Sequence, residues 1–484
     1  MASAQDYDLI VIGSGPAGEK GAAQAAYFGK RVALVERDPV LGGASCNTGT
    51  LSSKTLRESA LALSGFHSRE LFGVDLAVRR GATVQDFLRH ERRVVSAERD
   101  AIVANVRRHE INTYHGMASF ADPHTIRIDA EGEDPVFLRG DIILIATGSS
   151  PYRPAQFGFD HNRVWDSDQI VNLGFMPGRM AVIGGGVIGC EYACTFAALG
   201  VDVYLVDGRT DLLDFVDRDI WAVLEKAMMA LGVRFMKGER VLECVAGEDG
   251  VSLSLSSRRA VEVDAVLVAA GRVANTAHLN LAAAGLRADE RGRIGVSEHY
   301  QTAVAHIYAA GDVVGFPALA STSMEQARLA MVDAFDLKYK KYAAPVLPLG
   351  VFTIPEVSVA GETENSLRAK GIPYVAGRAL YDANARGKII GDREGLLKLL
   401  FREPDMKLLG VSVVGESASE LVHIGVMALM LEADHTLFIE TCFNYPTLGQ
   451  LYKYATYDAM GRQEGGVGSE MRPSESSSWR EPAR

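Results

Sequence analysis

Cysteine is scarce in this 484-residue chain and is poorly placed for pairing. The five cysteines are Cys46, Cys190, Cys194, Cys244 and Cys442, and no two stand in a CxxC arrangement. An odd count without framework spacing excludes a disulfide-stapled scaffold and points to a reducing compartment. Cys190 and Cys194 stand one turn apart on a predicted helix and read as packing residues, so no metal site is expected. No apolar run reaches the ~18 residues needed to cross a bilayer. The opening MASAQDYD lacks the charged-then-apolar pattern of a secretion signal. The expectation is a cytoplasmic protein without a membrane partner. An excess of basic residues is also missing, and a net charge of −11 excludes the electrostatic footprint of a nucleic-acid binder. The most basic stretch, Arg89 to Arg93, is interleaved with Glu91, Glu98 and Asp100 in a helical pattern and reads as a solvated helix face.

Glycine, by contrast, is abundant. Forty-nine residues are about 10% of the chain, against the usual ~7%, and several cluster in turn patterns. Two segments share one plan. The apolar run Tyr7–Ile12 leads into Gly13-Ser14-Gly15-Pro16-Ala17-Gly18, a helical stretch to Phe28, and a strand Arg31–Val35 ending at Glu36. Met180–Ile183 leads into Gly184-Gly185-Gly186-Val187-Ile188-Gly189, a helix to Leu199, and a strand Val201–Val206 ending at Asp207. Gly13 and Gly184, Gly15 and Gly186, Gly18 and Gly189, and Glu36 and Asp207 are each 171 residues apart. A lone GxGxxG is a weak signal. Two, each between a strand and a helix and each followed 18 residues later by an acid, specify two Rossmann-type units. The first glycine permits the tight turn, the second lets the backbone approach a pyrophosphate, and the third lets helix and strand pack closely. The helix N-terminus offers free N–H groups to the phosphates, and the acid accepts from ribose hydroxyls.

Further strands are predicted at Asp141–Gly148, Ala265–Gly271 and Ile307–Asp312. Beyond about residue 348 the dinucleotide signals stop. Strand patterns at Leu396–Phe401 and Leu408–Val414, with helical patterns at Ser419–Leu431 and Thr447–Met460, read as a separate α+β domain. The Gly-, Ser- and Pro-rich tail 462–484 reads as disordered.

With GSGPAGEKGA, GTLSSKTLRES, TIPEVS, IIGDREGLLKLLF, SELVHIG and FNYPT in place, the chain resembles the flavoproteins with two dinucleotide-binding domains, such as lipoamide dehydrogenase and glutathione reductase. Within them it resembles the soluble, Si-specific pyridine nucleotide transhydrogenases. The resemblance covers about residues 6–460. It implies an α/β fold: an FAD domain (1–150 and 276–348) interrupted by an NAD(P) domain (151–275), then an α+β dimerisation domain (349–461). A homodimer or higher homo-oligomer follows from that plan.

Residues 42–54, GGASCNTGTLSSK, depart from the disulfide-reductase frame GGxCxxxGC. Ser45 takes the place of the first cysteine and Thr50 of the second. Cys46 is one residue off, so no dithiol forms. Transhydrogenases share the threonine but usually keep the first cysteine. In the C-terminal segment the family's His-Pro-Thr, with a glutamate three residues on, is replaced by Tyr445-Pro446-Thr447 and Gln450. Neither tyrosine nor glutamine shuttles protons near pH 7. Dithiol and base are lost together. Pro446 is expected after a cis bond.

The resemblance implies FAD at the first unit, held by Gly13, Gly15, Gly18, Glu36 and Arg37, with Gly42 and Gly43 opening the helix beneath the flavin. Gly116, Thr147, Gly148 and Ser149 resemble backbone contacts to the cofactor. Asp312 resembles the acid on its ribitol side, and Ala320 lies where a helix faces the pyrimidine. NAD(H) or NADP(H) is expected at the second unit with Gly184, Gly186, Gly189, Glu191, Asp207 and Gly271. Asp207 favours a ribose hydroxyl; Arg209 could clamp a 2′-phosphate instead, or stand free in solvent. Lys54 and Glu191 are the candidate catalytic residues, a cation beside the flavin and the acid that orients it.

The implied reaction is a ping-pong transfer: one reduced coenzyme gives hydride to flavin N5 and leaves, and the other coenzyme collects it. An NAD(P)H diaphorase or quinone reductase shares every motif and differs in its acceptor. Use of Cys46 as a single redox thiol, and a non-catalytic NAD(H)-sensing flavoprotein, are further alternatives.

Overall fold

The computed structural model describes residues 5–64, 84–340 and 344–463. The chain divides into two compact units. One takes residues of 1–214, 226–347 and 352–354; the other takes 215–225, 348–351 and residues from 355 on.

In the first unit the chain runs β1 (Gln5–Ile12), α1 (Pro16–Tyr27), β2 (Val32–Glu36), α2 (Gly43–Asn47), α3 (Thr50–Leu63), α4 (Val84–Arg108), β3 (Asn112–His115), β4 (Met117–Asp122), β5 (Thr125–Asp129) and β6 (Val136–Ile145). These strands form a sheet in the order β3-β2-β1-β6-β5-β4, and β17 (Ile307–Ala309) also pairs with β6. Pairing is parallel from β3 to β6 and at β17, and antiparallel through β5 and β4. Strands covered on both faces need apolar side chains on both. Leu9, Ile10, Val11 and Ile12 accordingly have almost no exposure, each contributing about 1.5–3 kcal/mol. Pro16 opens α1, where its missing N–H costs nothing and its φ is preset.

The second parallel sheet has the order β11-β10-β9-β15-β8. It comprises β8 (Val164–Asp166), β9 (Arg179–Ile183), β10 (Asp202–Asp207), β11 (Val233–Lys237) and β15 (Ala265–Val268), with α5 (Val187–Ala198) crossing between β9 and β10. A meander, β12 (Val241–Ala246), β13 (Val251–Leu255) and β14 (Ala260–Val263), stands beside it in sequence. The ribbon β7 (Ser149–Pro151) with β16 (Arg272–Ala274) links the two sheets, and α7 (Ala320–Ala334) packs on α1. The expected domain cuts near 150 and 275 therefore fall at this ribbon, inside one unit.

The other unit is an antiparallel sheet in the order β18-β19-β22-β21-β20. Its strands are β18 (Leu349–Val351), β19 (Glu356–Gly361), β20 (Tyr374–Leu380), β21 (Leu396–Arg402) and β22 (Leu408–Gly415). α10 (Ala418–Met430) packs on β19 and β22, and α12 (Leu451–Gln463) on β20 and β21.

Three sequence expectations need correction. Glu91 is not on a solvated face: it is buried with Phe87, Leu88 and Val95, while Arg89, His90, Arg92 and Arg93 are exposed. The helix expected from Gly42 is two helices, α2 and α3, broken at Thr48 and Gly49. α12 continues through Gln463, two residues into the stretch read as tail, and the rest of that tail lies outside the described residues.

Candidate functional site

The two glycine turns repeat one another in detail. Gly13 and Gly184 sit at φ +100° and +108°, in the left-handed region that favours glycine. A Cβ on Gly18 would overlap the carbonyl oxygen of Gly13, and one on Gly189 that of Gly184. Those overlaps are with main chain, so α1 and α5 cross their strands this closely only because both residues are glycine. The helices start at N-caps Gly15 and Gly186 with no side-chain cap. Their first-turn N–H groups are left for an anion.

Each acid is anchored by its own loop. Glu36 Oε2 accepts from Ser14 N at 2.9 Å and Ser14 Oγ at 2.5 Å, and Oε1 from Asp38 N at 3.0 Å. Ser14 Oγ accepts in turn from Gly42 N at 3.0 Å, and Gly116 N donates to Glu36 O at 2.9 Å. Burial, and then the neighbouring Glu36 carboxylate, push the Asp38 carboxyl above its ordinary range. Arg37 points outward, its Nε 3.8 Å from Asp38 Oδ1. In the second glycine turn Gly185 N donates to Asp207 Oδ2 at 2.6 Å. Arg209 grips the same carboxylate with Nη2 at 2.9 Å and Nε at 3.1 Å. Burial raises the Asp207 carboxyl, but the Arg209 side chain and the Arg209 and Gly185 amides outweigh it and hold the group below its usual range. Arg209 is therefore not a free solvent residue.

Across the first turn, Gly43 lies against Gly15, and a Cβ on Gly13 would meet Ala146 O at 2.5 Å. Thr147 Oγ1 is buried without a hydrogen-bond partner. Gly148 is at φ +66° with open space where a Cβ would stand. Ser149 Oγ donates to Asp312 Oδ2 at 2.6 Å, and Arg272, absent from the sequence expectations, donates to Ser149 Oγ at 2.8 Å and Ser149 O at 2.6 Å. Ala320 opens α7, whose buried Gln326 accepts from Gly311 N beside Asp312 at 2.8 Å. Gly271, at φ +108°, has open space on its Cβ side. An uncapped helix end, a turn with no room for a side chain at Gly13, Gly18 or Gly43, and an orphaned hydroxyl fit a dinucleotide such as FAD.

Lys54 and Glu191 meet across 137 positions of sequence: Nζ donates to Oε2 at 2.6 Å. Glu191 is buried and Lys54 about one-quarter exposed. Ser45 lies within α2 and Thr50 opens α3, the helix that carries Lys54, and neither supplies sulfur. Cys46 is turned away, buried among Val95, Ile102 and Val106. Its thiol lies 3.9 Å from Val95 O, and burial raises its pKa. Cys190 and Cys194 are fully buried, and all five cysteines are free. In the other unit the Tyr445–Pro446 bond is cis and Tyr445 is largely exposed.

The model of the pyridine nucleotide-disulphide oxidoreductases matches residues 7–328, and that of their dimerisation domain residues 347–456. The chain belongs to this family. It is 44% identical over 459 residues, covering 95% of this chain and 98% of the relative, to a soluble pyridine nucleotide transhydrogenase of Mycobacterium bovis. A protein of that name from Colwellia psychrerythraea is 40% identical, with 96% and 100% covered. Among solved structures, LpdA of Mycobacterium tuberculosis superposes with a TM-score of 0.86 at 26% identity over 94% of this chain and 99% of that one. The HOCl-induced flavoprotein disulfide reductase RclA of Escherichia coli superposes with a TM-score of 0.83 at 26% identity over 92% and 99%. No described helix is long and apolar enough to cross a membrane.

Proposed function

We propose that this protein is an FAD-dependent pyridine nucleotide transhydrogenase that moves hydride between NADPH and NAD, or the reverse. The observation that carries this reading is an intact Lys54–Glu191 pair in a loop with no sulfur at positions 45 and 50. FAD belongs at the first turn, held by Gly13, Gly15, Gly18, Glu36, the Thr147–Ser149 turn and Asp312. The nicotinamide coenzymes belong at the second, around Gly184, Gly186, Gly189 and Gly271. When bound, the flavin supplies a two-electron store.

The chain's own residues do the rest. Glu191 fixes Lys54 as a positive charge in a partly buried place, where it stabilises negative charge developing beside it. With no thiol pair at positions 45 and 50, no histidine at 445 and no carboxylate at 450, this site lacks the sulfur acceptor and the proton shuttle of the disulfide reductases, and the next coenzyme is the acceptor this reading assigns. Asp207 and Arg209 suit both substrates: the acid accepts from a ribose hydroxyl, and the half-exposed guanidinium can swing from the acid to a 2′-phosphate. The dimerisation domain supports a homodimer, and the relatives named as soluble support a cytoplasmic location as part of this proposal.

Anaerobic turnover of the yellow protein with NADPH and thio-NAD tests this. Rapid transfer without thiol or disulfide is the expected result. Flavin reduction without transfer, followed by fast turnover on adding a quinone, would make it a diaphorase.

A further inference from the structure

The Lys54–Glu191 pair has a third member outside both glycine turns. Glu191 Oε1, the oxygen Lys54 does not use, accepts from the main-chain N–H of Phe352 at 2.9 Å. The ring of the same residue lies over the Lys54 ammonium, its centroid 5.1 Å from Nζ. Phe352 thus touches both partners, the acid through its backbone and the cation through its ring face.

The segment carrying it is firmly seated. Arg57, one turn after Lys54 on α3, donates from Nε to Thr353 O at 3.0 Å. Cys194, one turn after Glu191 on α5, lies with Sγ 4.0 Å from Ile354 O. Thr353 and Ile354 are fully buried. Residues 352–354 therefore pin α3 and α5 together where they present the pair. We propose that Phe352 is a positioning residue for hydride transfer, its ring confining the Lys54 ammonium on the side that Glu191 leaves open. This rests on the reading of Lys54 and Glu191 given above. A cation within about 6 Å of a ring face is held by the ring quadrupole. Lysine needs such confinement because its four-carbon stem is flexible, and a charge stabilises a transition state only when it is already in place.

The test compares the FAD-loaded full chain with its Phe352→Leu and Phe352→Tyr variants. Leucine keeps the backbone N–H and much of the volume and removes the ring face. Trace acetylation of the native protein with acetic anhydride, read by peptide mass spectrometry against exposed lysines of the same chain, reports how firmly Lys54 is held. We expect Lys54 to label about two- to fivefold faster in Phe352→Leu, the factor a surface cation–ring contact supplies. kcat should fall by a similar factor with KM within about twofold, and tyrosine should restore both. A leucine variant with wild-type labelling and kcat, beside a Lys54→Met variant that has lost turnover, overturns the role of Phe352 and leaves the pair standing. Full turnover in Lys54→Met overturns the reading of the pair, and this inference with it.

Discussion

Arg209 lies across the carboxylate of Asp207, two residues before it, with a nitrogen on each oxygen at 2.9 and 3.1 Å. The matching acid of the first turn, Glu36, is bound instead by Ser14 and backbone. The difference matters for what each turn accepts. Charge-assisted hydrogen bonds to phosphate are worth about 1.5–3 kcal/mol. Arg209→Ala should therefore lower kcat/KM for NADP(H) roughly 10- to 150-fold while leaving NAD(H) within about threefold. Steady-state kinetics with both coenzymes decides it: equal losses would make Arg209 a brace for Asp207 rather than a phosphate clamp.

Cys46 is the one thiol in the loop that disulfide reductases use, but its sulfur sits in the core against α4. Burial keeps it protonated and so unreactive. Cys46→Ser should retain turnover within about twofold, with a cost of about 1–3 kcal/mol in stability from a hydroxyl placed in the core. Turnover and chemical denaturation of the same preparation measure both. Abolished NADH oxidation would restore a single-thiol mechanism.

The glycine turns were legible in the sequence because Gly13, Gly18, Gly184 and Gly189 each answer a local steric demand that no other residue meets. The two parallel sheets followed from uninterrupted apolar runs, and the family resemblance supplied the plan around them. Other features needed three dimensions. Phe352 and Arg272 carry no local signal: Phe352 lies in the short turn between the paired strands β18 and β19, Arg272 on β16, and the partners Glu191 and Ser149 stand 161 and 123 positions away in sequence. Glu91 was misread although the pattern was available. Phe87, Leu88, Glu91 and Val95 fall on one helical face, and the surrounding arginines drew attention to charge instead of period. The break between α2 and α3 was missed because Thr48-Gly49 interrupts a stretch that otherwise suits a helix.

The equivalence of Gly18 and Gly189 gives a paired test of which turn holds which dinucleotide. A methyl at either position strikes the carbonyl oxygen of the first glycine of its turn, a main-chain atom that cannot rotate away. Overpacking of this kind costs about 1–3 kcal/mol, enough for roughly a 5- to 150-fold loss of a dinucleotide bound there. Gly18→Ala should be purified depleted of flavin. Gly189→Ala should be purified yellow but be reduced poorly by NADH or NADPH. Flavin content by absorbance and stopped-flow reduction read the two effects; the reverse pattern would exchange the assignments.

The most buried charge among the described lysines is Lys398 on β21, held by Asp217, Asp219 and Glu364. Those three carboxylates converge closely enough to suit a metal ion, but the lysine ammonium already occupies their centre. Burial raises the carboxyls of Asp219 and Glu364, and Lys398 outweighs it, holding both below their ordinary values. A depressed carboxyl stabilises the fold above its unfolded pKa of ~4 and loses that contribution as pH falls through the folded value. Lys398→Met removes the shared partner and leaves burial opposed by Arg378, which reaches Asp219 at 2.8 Å and Glu364 at 3.2 Å, and at Glu364 also by Arg368 and the Tyr374 hydroxyl at 2.9 Å. The variant should lose about 3–5 kcal/mol at pH 7, as expected when one side of a buried ion pair is deleted. Its carboxyls are then held down less than in the wild type, so acid costs the variant less stability than it costs the wild type. The gap between their urea midpoints should narrow from pH 7 to pH 4. A gap that stays constant over that range would assign the loss to packing around the lysine stem rather than to its charge.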